Sequence, residues 1–308
     1  MDRILVTGGA GYLGSHVVNI LGSRAIVYDR LLYTDEYLKD TEFVRANVAD
    51  YPLLQQYLDR VDCVIWLAAI VGDPGCKVQP EMAVETNDRA VRYLAEHFNG
   101  KIIFTSSCSA YGANTTPADE TASLNPLSLY AETKINAERY LANKNALILR
   151  LGTLHGISDR MRFDLVVNVL TLRAMTTKQI EIYGGSQWRP LLGVREAAEF
   201  IARQVDQEYS PGIYNLASEN LRIVDVAHRV KAQIPDVTVD LLGAQYEDNR
   251  NYKISIEKAR KQLGFEPMPD SVDRSIGDIK RLLESGRLKY PGSAKYVNVV
   301  SLQQEFGP

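Results

Sequence analysis

The side chains of this 308-residue chain best suited to chemistry stand in two short runs, Ser106-Ser107-Cys108-Ser109 and Tyr130-Ala131-Glu132-Thr133-Lys134. Residues four apart share a helix face, so Tyr130 and Lys134 can reach one ligand together. A tyrosine hydroxyl titrates at about 10 and is a poor base at neutral pH. Bringing it near 7 takes roughly 4 kcal/mol. One lysine charge about 6 Å away supplies roughly 3 kcal/mol of that at an effective dielectric near 20. Ser107 is placed to hydrogen-bond a substrate hydroxyl and relay its proton. The same spacing recurs in Tyr140-Leu141-Ala142-Asn143-Lys144. Tyr140, however, lies deep in the helical pattern beside apolar positions, where packing accounts for it. Tyr130 opens the helix after the loop Leu124-Asn125-Pro126, where a side chain can face a cleft.

These residues need a scaffold, and the first half of the chain spells one out. Ile4-Leu5-Val6, Ala25-Ile26-Val27, Cys63-Val64-Ile65-Trp66-Leu67, Lys101-Ile102-Ile103-Phe104 and Ala146-Leu147-Ile148-Leu149 read as parallel strands covered on both faces. Amphipathic stretches such as Leu13-Val17-Leu21 and Ile135-Leu141 alternate with them. Alternating β and α predicts an α/β fold with a Rossmann-type doubly wound parallel sheet. The first strand runs into Thr7, Gly8, Gly9, Gly11 and Gly14, which satisfy both TGxxGxxG and GxGxxG. Residues without Cβ let the backbone approach a pyrophosphate at a helix N-terminus. Asp29 ends the second strand, where a carboxylate accepts from a ribose 2′-hydroxyl and repels a 2′-phosphate. NAD is therefore expected over NADP, with Arg30 alongside softening the preference. An oxidised nicotinamide ring would supply the rest of the positive charge that Tyr130 needs.

Residues 1–155 and 190–217 are expected to form the NAD-binding Rossmann domain. Residues 156–189 and 218–290 are expected to form a smaller C-terminal α/β lobe for the substrate, and 291–308 have no assignment. Hydrophobic residues make up 45% and charged residues 24%, as in ordinary globular proteins. A net charge of −3 argues against nucleic-acid and membrane partners and leaves any anionic ligand to a local arginine cluster. Cys63, Cys76 and Cys108 show no CxxC spacing, and the four histidines do not cluster, so neither disulfide nor metal site is expected. Met1-Asp2-Arg3 leads straight into an apolar strand without a signal-peptide pattern, and the cytoplasm is the expected compartment.

With these motifs in place, the chain resembles an extended short-chain dehydrogenase/reductase of the nucleotide-sugar epimerase/dehydratase family over at least residues 4 to 267. The similarity rests on the glycine turn, Asp29, Leu67-Ala68-Ala69, Ser107 with Tyr111-Gly112, Tyr130 with Lys134, and Leu263-Gly264-Phe265-Glu266-Pro267. It implies Tyr130 as base, Ser107 as catalytic hydroxyl, and Lys134 on the nicotinamide ribose. It also implies NAD contacts from Gly8, Gly11, Tyr12, Leu13, Gly14, Asn47, Val48, Leu67, Ala68 and Ala69, and a homodimer acting on a nucleotide sugar. Val71-Gly72-Asp73 follow the fourth strand at its ligand-binding end. Arg160 and Arg162, just past the sixth, suit a pyrophosphate or carboxylate. Arg189 and Arg250 resemble the family's nucleotide-phosphate arginines.

Members of the family that dehydrate the sugar follow the catalytic Ser or Thr with an Asp-Glu pair, and decarboxylation resembles this in using a Glu at the second position. Here Cys108 and Ser109 stand there, and neither can do carboxylate work. Cys108 is also one place off the acid/base Cys of C3/C5 epimerases, and His155 precedes Gly156 where the family more often has Tyr. What remains is hydride transfer at C4, as 4-epimerase or 4-dehydrogenase. A 4-ketoreductase is the alternative, and a non-catalytic NAD-sensing regulator is the rival from another class.

Overall fold

Continuous apolar runs become strands wherever both faces can be covered. The computed structural model describes residues 3–34, 36–243 and 250–307. In chain order come β1 (Ile4–Thr7), α1 (Gly14–Leu21), β2 (Ala25–Asp29), β3 (Glu42–Arg45), α2 (Tyr51–Leu58) and β4 (Cys63–Trp66). Next are α3 (Asp73–Val78), α4 (Pro80–Val84), α5 (Ala90–His97), β5 (Lys101–Ser107), α6 (Leu129–Leu141) and β6 (Ala146–Leu151). The remainder comprises β7 (Thr153–His155), α7 (Val166–Thr176), β8 (Gln179–Tyr183), β9 (Trp188–Gly193), α8 (Val194–Gln204), β10 (Gly212–Leu216), β11 (Glu219–Arg222), α9 (Ile223–Gln233), β12 (Thr238–Leu242), α10 (Glu257–Leu263), α11 (Ser271–Glu284) and α12 (Asn298–Phe306).

Seven parallel strands lie in the order β10-β6-β5-β4-β1-β2-β3, so the winding reverses between β1 and β4. That crevice at the carboxyl ends of the strands is where open α/β sheets bind ligands. Ile4 and Val6 of β1 point into one core with Val17, Val18 and Leu21 of α1 and Ala197, Ala198 and Ile201 of α8. Leu5 points into the other, with Leu54 of α2, Leu94 of α5 and Leu141 of α6. The Rossmann-type sheet expected from the strand pattern is therefore present.

The remaining strands form a three-stranded sheet β11-β9-β7 and the pair β12-β8. Helices α7, α9 and α11 close a separate core around Val167, Ile180, Val226 and Ile276. Ala259, Leu263 and Phe265, expected from sequence in this second lobe, instead bury themselves in the core of the large sheet. The unassigned tail ends in a helix: α12 packs on α3, with Leu302 fully buried. Among the described residues no helix is long and apolar enough to cross a membrane. Cys63, Cys76 and Cys108 are buried free thiols.

Candidate active site

Ser128 caps α6, its hydroxyl accepting from the Ala131 N–H at 3.3 Å, which fixes Tyr130 in the first turn. One turn on, Lys134 is buried and donates from Nζ to the Thr105 carbonyl at 2.9 Å. The ammonium lies 4.8 Å from the Phe104 ring centre and 6.0 Å from that of Tyr130. Burial pushes it down to about 8, against the pull of the Cys76 thiol and Glu138. Ser107 ends β5, and its Oγ accepts from the Ser109 N–H at 3.1 Å and from the Ser109 hydroxyl at 2.8 Å.

Tyr130 differs from the sequence expectation in one respect. Burial pushes its hydroxyl above the ordinary tyrosine value, the neighbouring Cys76 thiol adds to this, and a hydrogen bond with Ser107 works the other way. The second Tyr-Lys pair is elsewhere: Tyr140 packs against the core on the side of α5 and donates to Asp88 at 2.9 Å.

Ser107, Tyr130 and Lys134 open into a cleft of about 610 Å³ along the carboxyl ends of the central strands. Its other end is the glycine turn. Gly8 has φ of +74°, and a Cβ there would stand 2.8 Å from the Ala68 amide nitrogen. A Cβ on Gly14 would come within 2.1 Å of the Gly8 carbonyl oxygen. The turn thus closes tightly, with the N-terminus of α1 facing the cleft. Asp29 is held by N–H donors from Ala10 (3.0 Å) and Leu31 (2.8 Å), while burial raises its pKa. Leu13, Asn47, Val48, Leu67, Ala68 and Ala69 also line the cleft. Tyr12 lines it too, but its hydroxyl is spent on the Gly156 carbonyl at 2.6 Å, latching the turn to the chain beyond β7.

Several buried polar atoms on residues that line this space have no hydrogen-bond partner among the described residues, namely Tyr33 OH, Nε and Nη2 of Arg160, Asp73 Oδ1 and Asn298 Oδ1. Leaving such groups unpaired costs about 1–3 kcal/mol each. A cradle without side chains, a carboxylate at the end of β2 and unused donors along the wall suit a dinucleotide diphosphate. Arg160 lies 4.5 Å over the Tyr33 ring, and burial, reinforced by the adjoining Arg162, pushes it down to about 10. Arg162 is engaged twice by Asp164, at 2.9 Å each, so its charge is matched from within.

At the far end Val71 and Gly72 lead into Asp73, which meets Arg250 at 3.0 Å. Arg189 donates to the carbonyls of Trp188 (2.9 Å) and Arg250 and lies over the Tyr252 ring. Tyr33, Tyr252 and Asn298 were missed from sequence. An aromatic four residues beyond Asp29 was a usable signal for Tyr33, whereas Asn298 had none.

Behind the site, Cys108 donates from Sγ to the Arg150 carbonyl at 3.2 Å, and burial pushes the thiol up. His155 is fully buried, with one ring nitrogen 2.8 Å from Ser275, and burial pushes it down to about 3. Neither side chain faces the cleft.

Proteins named for several different reactions are similar to this chain. UDP-glucose 4-epimerase of Lacticaseibacillus casei is 26% identical over 89% of this chain and 94% of its own length. UDP-glucuronic acid decarboxylase 4 of Arabidopsis thaliana is 27% identical over 86% of this chain and 65% of its own length. The solved structure of TunA, an NAD-dependent NDP-hexosamine 5,6-dehydratase, superposes with a TM-score of 0.82 at 22% identity, covering 92% of this chain and 98% of that one. The family model for NAD dependent epimerase/dehydratases matches residues 4–217, which contain the whole central sheet with Ser107, Tyr130 and Lys134, and the chain belongs to that family.

Proposed function

We propose that the protein moves hydride at C4 of a nucleotide sugar, as a 4-epimerase or 4-dehydrogenase. The observation that carries this reading is the make-up of the catalytic end: hydroxyls of Ser107, Ser109 and Tyr130 beside the Lys134 ammonium. No carboxylate follows Ser107, and the Cys108 thiol is turned to the Arg150 carbonyl. Elimination of water or CO₂ calls for a group that these positions do not provide.

The glycine turn and α1 would hold the NAD pyrophosphate, Asp29 the adenosine ribose, and Lys134 the nicotinamide ribose. When bound, NAD supplies a hydride acceptor and the positive charge of its oxidised ring. In the free protein Tyr130 is held protonated by burial. The Lys134 ammonium beside it, together with the positive charge that an oxidised nicotinamide would bring, would lower it toward a competent base. Ser107 then hydrogen-bonds the C4 hydroxyl, and Tyr130 takes the proton directly or through Ser107. Asp73 with Arg250, and Arg189 with Tyr252, form the end of the cleft suited to sugar hydroxyls and the nucleotide diphosphate.

Incubation with a panel of nucleotide sugars, followed by mass analysis of products, tests the reading. An isomer of unchanged mass indicates epimerisation and a loss of about two mass units dehydrogenation. A loss of about eighteen, marking dehydration, overturns it. Tyr130→Phe should lower kcat by at least about 10²-fold while leaving NAD affinity within a few-fold.

A further inference from the structure

The C-terminal helix lies against the dinucleotide end of the cleft and is anchored along its length. Just before it, Tyr296 stacks edge-on to Phe163 (5.8 Å), and the Phe163 N–H donates to the Tyr296 carbonyl at 2.8 Å. At its first residue the Asn298 N–H donates to the Asp164 carboxylate at 3.1 Å. In its middle, Leu302 is fully buried beside Ile70 and Cys76, with Cδ1 3.4 Å from where a Gly75 Cβ would be. At its end the Arg30 guanidinium, next to Asp29, lies 5.7 Å over the Phe306 ring. The helix thus runs from the Asp164 segment along α3 to the ribose-binding end of β2.

Asn298 and Val299 line the same cleft as the glycine turn. Asn298 is only 4% exposed, yet its Oδ1 has no hydrogen-bond partner among the described residues. Tyr33 OH and the guanidinium of Arg160, also unpartnered, share the cleft with it. A buried amide oxygen left unanswered costs free energy, and a ligand rich in hydroxyl and amide donors would answer it.

We propose that α12 is a wall of the dinucleotide site. Asn298 contacts the bound NAD, and the helix, pinned by Leu302, must lift off α3 before the dinucleotide can leave. The rate of NAD release is then set by α12. The inference rests on the cleft holding NAD and not on which sugar reaction follows.

Radiolabelled NAD bound to the full-length protein, chased with excess unlabelled NAD, gives the release rate directly. The wild type should keep its label over many minutes. A chain ending at Val297, which keeps Tyr296 in its cluster, should release at least tenfold faster, and so should Leu302→Ala. Asn298→Ala should fall between them and the wild type. If the shortened chain melts well below the wild type without cofactor, the two point variants decide. Release within twofold of wild type in both point variants, or wild-type release within seconds, overturns the proposal. A protein that retains NAD yet converts no nucleotide sugar leaves this inference standing and sinks the C4 reading instead.

Discussion

Lys134 shows how burial reverses a charge argument made from spacing. From sequence the lysine serves Tyr130 by standing near it, and the 6.0 Å between ammonium and ring centre agrees with that spacing. What spacing does not reveal is how dry the site is. Burial acts on both groups at once, raising the tyrosine and bringing the lysine from 10.5 down to about 8. The lysine displacement corresponds to roughly 3 kcal/mol against the charged form. Below pH 8 the folded and unfolded chains both carry the proton, and the penalty is fully present. From pH 8 to about 10.4 the unfolded chain keeps a proton that the folded one has lost, so stability rises with pH across that window. Lys134→Met removes the penalty but strands the Thr105 carbonyl, which offsets about 1 kcal/mol. The cofactor-free variant should therefore be more stable than wild type by roughly 2 kcal/mol at pH 7. The gap should close toward pH 10 in urea titrations, and a variant less stable at pH 7 would contradict the account.

The element that carries Tyr130 and Lys134 is α6, and its third turn explains how the first two are held. Tyr130, Lys134 and Glu138 are four apart along one face. Glu138 accepts from Arg150 at 2.9 and 2.6 Å and from the Ser106 hydroxyl, with both charges almost wholly buried. Arg150 also donates to the Tyr111 hydroxyl at 2.8 Å, which passes its own hydrogen to Asn215 at 2.7 Å. The helix is thereby tied to β5, β6, β10 and the turn after Ser107. Glu138→Ala strands a buried guanidinium and should destabilise by about 3–5 kcal/mol in denaturant titrations; a loss under about 1 kcal/mol would mean that water already serves this pair. The Tyr-Lys helix was legible because four-residue spacing is a local signal. The partner was not, since Arg150 stands after an apolar run that, read alone, ends at Leu149, whereas the strand continues to Leu151. Helix α12 was hidden for another reason. Nine residues are too few to be helical alone, and tertiary contacts with α3, Asp164 and Arg30 stabilise them.

At the scale of the molecule, strands buried on both faces are written as unbroken apolar runs, and so the central sheet could be read directly. The second lobe uses short, half-exposed strands such as β8, whose alternating burial leaves few apolar residues in a row, and its course was not legible beyond scattered arginines. Placing the glycine turn, Asp29 and the Ser107–Tyr130–Lys134 end in one cleft has a consequence for the reaction itself. If α12 retains NAD and the acid/base groups within reach are hydroxyls, a hydride taken from the sugar has no exit except return to the sugar. Epimerisation is then favoured over net oxidation. A nucleotide sugar carrying deuterium at C4 should give the C4 epimer with that deuterium kept, and none should appear in a pool of free NADH. Deuterium in the free pool, growing with each turnover, would instead mark a dehydrogenase whose cofactor exchanges, and would place the barrier to NAD release well below what a helix pinned at Leu302 implies.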